Sequence, residues 1–226
     1  MGKIRMGYGS EWHLLRFMAR HRKKLEEAIN ACLGEGEIDW LDFKFGSKSD
    51  YYDCELKGLS FLEKESLDGY IKGWENKQSW DAVFKHNGII YLVEAKAHLD
   101  EMKDQREDKG GMSKELIKDF ICNNLRNQSV SISNDNCMGD FYQLANRLGT
   151  AAFLTNNGFE TKCIYIYFLN GYDNPRKKDE TKTVKTVEEF KKAIKNEMNV
   201  LGLKQDEVKS LLYHVFVDAE NGEFYK

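Results

Sequence analysis

No uninterrupted apolar run in the 226 residues approaches the roughly 20 needed to cross a bilayer, so no membrane helix is expected. The opening stretch, MGKIRMGYGS, lacks the apolar core of a secretory signal, and Met6 stands where a myristoylation signal has serine or threonine. A cytoplasmic chain is the expectation. Cysteine is scarce and scattered. Cys32, Cys54, Cys122, Cys137 and Cys163 are odd in number, and no two have the close spacing of a zinc or redox pair. Reduced, mostly buried thiols are expected, and the five histidines are too dispersed to support a zinc site. No GxGxxG or Walker pattern occurs, which leaves a small-molecule enzyme without a recognisable cofactor loop. The net charge of -3 argues against nucleic-acid binding by bulk attraction alone. One local basic run, Arg20 to Lys24 with Arg16, is either a phosphate contact or a solvated helix face. Proline occurs once, as Pro175, inside a charged stretch (170–183) that reads as a loop.

What is present patterns as alternating elements. Ser10 is placed to cap a helix running to about Leu33, with Leu15, Met18, Leu25 and Ile29 as its apolar stripe and Gly34 and Gly36 at its end. IDWLDFKF (38–45) predicts a strand with Leu41, Phe43 and Phe45 on one face, and a weaker strand signal covers 51–57. Residues 79–96 read as a hairpin around Asn87-Gly88, the favoured two-residue turn. A helix is expected near 113–126 and a second, opened by Asp140, that Gly158 closes. A strand over 162–169 follows, then a helix headed by the capping-box pair Thr186 and Glu189, with Val187, Phe190, Ile194 and Leu201 inward. LLYHVFVD (211–218) is the last strand. This order implies an α/β fold, a central mixed β-sheet flanked by helices. One domain is expected, with insertions near 46–78 and 99–139, the latter carrying the glycine pair Gly110-Gly111 that favours mobility.

The hairpin carries an electrostatic puzzle. Counting outward from the turn pairs His86 with Ile89, Phe84 with Tyr91, Ala82 with Val93, and so Asp81 with Glu94. Two like charges then face each other with Cβ atoms about 5 Å apart, which is unfavourable. Lys96 shares the face of Glu94, because strand side chains alternate. Either a divalent cation resolves the repulsion, since Mg2+ prefers oxygen ligands, or Lys96 bridges the two carboxylates as a structural patch.

Asp81 followed by Glu94-Ala95-Lys96 resembles the site of the PD-(D/E)xK nuclease superfamily, which includes restriction endonucleases, junction resolvases and repair exonucleases. The acidic-x-Lys spacing recurs elsewhere in the chain, but only at Glu94 does it follow a long apolar strand joined by a hairpin to an earlier aspartate. The element order resembles that family's restriction-endonuclease-like core over most of the chain outside the two insertions. Trp80 stands where the family's name has proline. The resemblance implies a metal-dependent nuclease acting on nucleic acid, DNA being the expected substrate, with Mg2+ or Mn2+ held by Asp81, Glu94 and the Ala95 carbonyl. Lys96 would be the catalytic lysine. An acidic residue on the first core helix is common in the family, and Glu11 matches that place, although a first-turn glutamate is also favoured by the helix dipole. Gln143 and Arg147, four apart on one helix, are candidates for substrate or phosphate contact, and His98 for the rim. The alternative is a non-catalytic domain of the same fold that binds nucleic acid or protein. Oligomeric state stays open, a dimer included.

Overall fold

The computed structural model describes residues 9–41, 56–57, 59, 61–62, 67–71, 78–103, 114–171 and 183–225. The expected strand residues Phe43 and Phe45, the segment 51–55, Gly110-Gly111 and Pro175 lie outside the described residues, as does most of 46–78.

The N-terminal helical stretch is two helices, α1 (Ser10–Arg20) and α2 (Arg22–Leu33), broken at His21. Ser10 is the first helical residue and Gly9 holds the cap position. The buried face of α1 is His13, Leu14 and Phe17, one step from the expected stripe, and Leu15 and Met18 are only half-buried. The break at His21 resets the helical phase, so a single stripe drawn through both helices cannot hold in each. Leu25 and Ile29 of α2 are fully buried as expected.

A six-stranded mixed sheet forms the centre, in the order β1 (Ile38–Trp40), β4 (Ala82–His86), β5 (Ile89–Lys96), β6 (Thr161–Leu169), β7 (Leu212–Asp218), β8 (Phe224–Tyr225). β4 and β5 are antiparallel, whereas β5, β6 and β7 are mutually parallel. A separate two-stranded sheet pairs β2 (Leu56–Lys57) with β3 (Ser79–Trp80). The turn between β4 and β5 has Asn87 at φ 51° and Gly88 at φ 80°, two successive left-handed residues that suit a tight hairpin. The ladder runs as counted from His86↔Ile89 to Ala82↔Val93 and stops there. Asp81 is in a bend, because Trp80 and Ser79 belong to the other sheet, where they pair with Leu56 and Lys57.

Alternate residues of the central strands feed two apolar layers. Ile90 and Leu92 of β5, with Cys163, Tyr165 and Tyr167 of β6, face α3 (Lys114–Asn127), α4 (Tyr142–Asn156) and α5 (Val187–Leu201). Tyr91, Val93, Ala95 and Ala97, with Ile164, Ile166 and Phe168, face α1 and α2. The links β5→β6 and β6→β7 pass through α3–α4 and α5, all on one face, as successive right-handed crossovers in one direction require. α4 begins at Tyr142, with Phe141 rather than Asp140 at its cap. α5 begins as expected: the Thr186 side chain accepts the Glu189 amide at 3.3 Å, and Val187, Phe190, Ile194 and Leu201 are buried. A one-turn helix, α6 (Gln205–Val208), precedes β7. Cys122, Cys137 and Cys163 are buried free thiols and Cys32 is exposed. No helix among the described residues is long and apolar enough to cross a membrane.

Candidate active site

β5 ends where the hairpin ladder has already stopped. Glu94 and Lys96, on the face that also holds Leu92, are therefore carried past the last β4 partner while β6 still supports their other side. Both are buried, 4% and 5% exposed. The Lys96 ammonium donates to Glu94 Oε1 at 2.9 Å and to Gln143 Oε1 at 2.6 Å. The Gln143 amide closes the triangle by donating to Glu94 Oε1 at 2.7 Å. Arg147, one turn further along α4, donates from Nε to Glu94 Oε2 at 3.0 Å and from its terminal nitrogen to the Ser79 carbonyl at 2.6 Å. Its guanidinium lies 4.5 Å from the centre of the Trp80 ring, a cation–π stack. Gln143 and Arg147 thus reach the Glu94–Lys96 pair because residues four apart share a helix face.

Asp81 is held differently. Its Oδ2 accepts the backbone N–H of Ala95 at 2.7 Å, so the carboxylate occupies the place of the missing ladder partner. A strand residue presents its N–H and C=O to the same neighbour. The Ala95 carbonyl therefore points to the same open edge as Asp81.

These contacts explain how the like charges are tolerated. Burial alone pulls the Glu94 carboxyl upward, but Lys96 and Arg147 outweigh it and hold Glu94 below the usual carboxylate range. Burial likewise pulls Lys96 down, and Glu94 and then Asp81 more than restore its charge. Arg147 is raised by the same two carboxylates and Tyr165 against its own desolvation. Two anions and two cations balance within the chain itself.

The polar layer continues across the sheet. Register sets Glu94 beside Tyr165 and Tyr165 beside His214, with Lys96 beside Tyr167 in the next row. The Tyr165 hydroxyl is buried without a hydrogen-bond partner among the described residues, whereas the Tyr167 hydroxyl meets His214 Nδ1 at 3.2 Å. From α5, Glu197 enters this layer 3% exposed. Burial pushes its carboxyl to about 8, with Lys96 countering only in part. Glu197 sits on the helix's inward stripe, three residues after Ile194 and four before Leu201. An acid at that position was a readable signal that sequence reasoning passed over.

The remaining expected residues fall nearby or apart. Glu11 is half-buried in the first turn of α1, a helix on the opposite face of the sheet from Glu94 and Lys96. The carboxylate that ties α1 to the end of β5 is Glu101, absent from the sequence reading: its Oε2 accepts Ala97 N–H at 2.6 Å and its Oε1 accepts Ser10 N–H at 3.2 Å. His98 is half-buried at the strand end, Nε2 3.5 Å from Glu101 Oε1, and bridges to Thr183. Of the basic run, Arg16 donates to the Ala219 carbonyl and Lys24 to that of Asn221 at 2.8 Å, which seats it beside the β7–β8 turn.

The local fold holds this arrangement firmly. Gln78, just before β3, donates to Asn146 at 2.6 Å and to Thr150 at 2.8 Å and accepts from the Tyr70 hydroxyl. α4 therefore grips the strand that positions Asp81 as well as the strand that carries Glu94.

The donor set at the hairpin end is all oxygen: two carboxylates and the Ala95 carbonyl, the chemistry a hard divalent cation takes. A carboxylate offers about four acceptor positions, and Glu94 uses three, leaving one on Oε2. No group of three or more His, Cys, Asp or Glu side chains among the described residues is arranged to hold a metal. A cation held by these oxygens would take the rest of its coordination from water or substrate. Compared with family models, curated proteins and solved structures, the chain shows no match.

Proposed function

We propose that the chain is a metal-dependent nuclease that hydrolyses phosphodiester bonds, with DNA as substrate, on a restriction-endonuclease-like core. The observation that carries this reading is the convergence of Asp81, Glu94 and Lys96 at the end of β5, with Lys96 2.9 Å from Glu94 and Asp81 folded onto Ala95. That end is the carboxyl end of a parallel strand, where sheet neighbours switch from antiparallel to parallel. Ligands of open α/β sheets bind outside the carboxyl ends of the strands.

Asp81, Glu94 and the Ala95 carbonyl would hold Mg2+ or Mn2+, which when bound supplies positive charge to the phosphate and lowers the pKa of water. Because Lys96 and Arg147 already balance the carboxylates, a cation there would add charge to a neutral site and would be held more firmly with a phosphate beside it. Gln143 accepts from Lys96 and donates to Glu94, which fixes the ammonium in one orientation. Lys96 then orients the attacking water and meets charge developing on the phosphate. Arg147 holds Glu94 in place through its fork and its stack on Trp80.

The burial of Glu94 and Lys96 favours a second reading, a non-catalytic nucleic-acid- or protein-binding domain in which the same network is structural. Cleavage of single-stranded, duplex, nicked and branched DNA and RNA with Mg2+ or Mn2+, together with melting temperature with and without the cation, separates the two. Lys96→Ala is expected to abolish cleavage yet keep the cation-dependent rise in Tm. Asp81→Asn is expected to lose both. A wild type that cuts nothing and gains no stability from either cation, yet binds nucleic acid or a protein partner as well as Lys96→Ala does, favours the second reading.

A further inference from the structure

A second cavity opens on the same face of the sheet, two strands away from Lys96. It measures 580 Å3 and lies between α5, α6 and β7. That volume falls inside the roughly 300–1,000 Å3 of small-molecule sites. Its floor is apolar, built from Ile194, Met198, Leu212 and Phe216. Phe216 is stacked on Tyr167, ring centres 5.1 Å apart, and is only 5% exposed, so the floor is a closely packed apolar surface. None of Asp81, Glu94 and Lys96 lines it.

Its polar groups are of two kinds. Lys191, Lys195 and Lys209 stand around it, all exposed, and no carboxylate is among the described lining residues. Lys191 Nζ lies 5.9 Å from the centre of the Phe216 ring, so one positive charge already overhangs the aromatic floor. Asn199, Gln205 and His214 are the uncharged hydrogen-bonding groups, burial holding the His214 imidazole neutral with a pKa of about 4.

We propose that this cavity binds a nucleotide. The charge pattern selects an anion, and the apolar floor selects one with a flat or greasy body. The amides then decide between these bodies. An alkyl chain lying on the floor would strip water from Asn199 and Gln205 and give nothing back, which is unfavourable. A nucleobase satisfies such amides through its edge while its face lies on the apolar floor, and its phosphate meets the lysines. This site is separate from the one proposed for phosphodiester hydrolysis and does not depend on it.

The test is a fluorescence titration of the full chain with N-methylanthraniloyl-AMP in EDTA, which prevents metal-dependent cleavage. Saturable one-to-one binding is expected, competed by unlabelled AMP, more weakly by adenosine, and not by sodium phosphate at the same concentration. The double variant Lys195→Glu/Lys209→Glu changes exposed residues only and is expected to weaken Kd at least about tenfold. Asn199→Ala is expected to narrow the gap between AMP and ribose 5-phosphate as competitors. Lys96→Ala is expected to bind as wild type does. Absence of saturable binding, equal competition by phosphate, or an unchanged Kd in the double variant overturns the assignment. Binding lost in Lys96→Ala but kept in the double variant overturns it as well, by moving the ligand to the hairpin site.

Discussion

Glu94 and Glu197 are buried carboxyls in one polar layer, and their surroundings shift them in opposite directions. Glu94 is held low by Lys96 and Arg147, so its contribution to stability is complete above about 4.5 and is lost as pH falls through its lowered pKa. Glu197 is raised by burial to about 8, so its contribution is complete below 4.5 and is lost as pH rises toward 8. His13 and His214, both lowered by burial to about 4, contribute fully above 6.5 and lose that contribution as pH falls. Two histidines outweigh one glutamate on the acid side, and Glu197 acts alone between 6.5 and 8. Melting temperature measured against pH is therefore expected to peak near 6.5, the ordinary histidine value. Glu197→Gln is expected to remove the alkaline decline, so that the loss of about 2 kcal/mol between pH 6.5 and 8, at roughly 1.4 kcal/mol per pH unit, disappears. A wild-type curve flat from 6.5 to 8 would contradict the burial assigned to Glu197. At this scale the sequence was partly legible. Glu94, Lys96, Gln143 and Arg147 were found by spacing along one strand and one helix. That Arg147 would take Glu94 itself was not legible, because it depends on how α4 lies across the sheet.

Among elements, the hairpin was the most readable, because a two-residue turn leaves no freedom in the five pairs that follow it. The sixth pair failed for a distant reason: β3 pairs with β2, so Asp81 leaves the ladder. The break at His21 was not legible, since neither glycine nor proline marks it. Helix contacts hold a further constraint that only three dimensions expose. A Cβ on Gly149 of α4 would lie 3.0 Å from the Cα of Ile121 on α3. Alanine in a helix interior gains about 1 kcal/mol over glycine, whereas overpacking costs about 1–3 kcal/mol. The close atom is backbone and cannot rotate away, so the cost is expected to win. Gly149→Ala should lower stability in urea by about 1 kcal/mol, and a stabilised variant would show that α3 yields.

Across the whole molecule, placing both crossovers on one face leaves α1 and α2 as the helices on the other face among the described residues. Under those helices lie Phe84, Val93, Ile164, Ile166 and Val215, all buried. Removing residues 1–33 bares that layer, and such an exposed apolar patch marks an aggregating surface. The truncated chain is expected to be insoluble, and a soluble, cooperatively melting product would show that the helices are dispensable. The same arrangement has a consequence for the order of synthesis. α2 packs against β7, where Cys32 Sγ donates to the carbonyl of His214, 182 residues further along the chain. α2 is thus synthesised well before the strand it packs against. Until β7 is made the Leu25–Ile29 stripe lacks that partner, and in that interval a nascent-chain chaperone has its natural substrate.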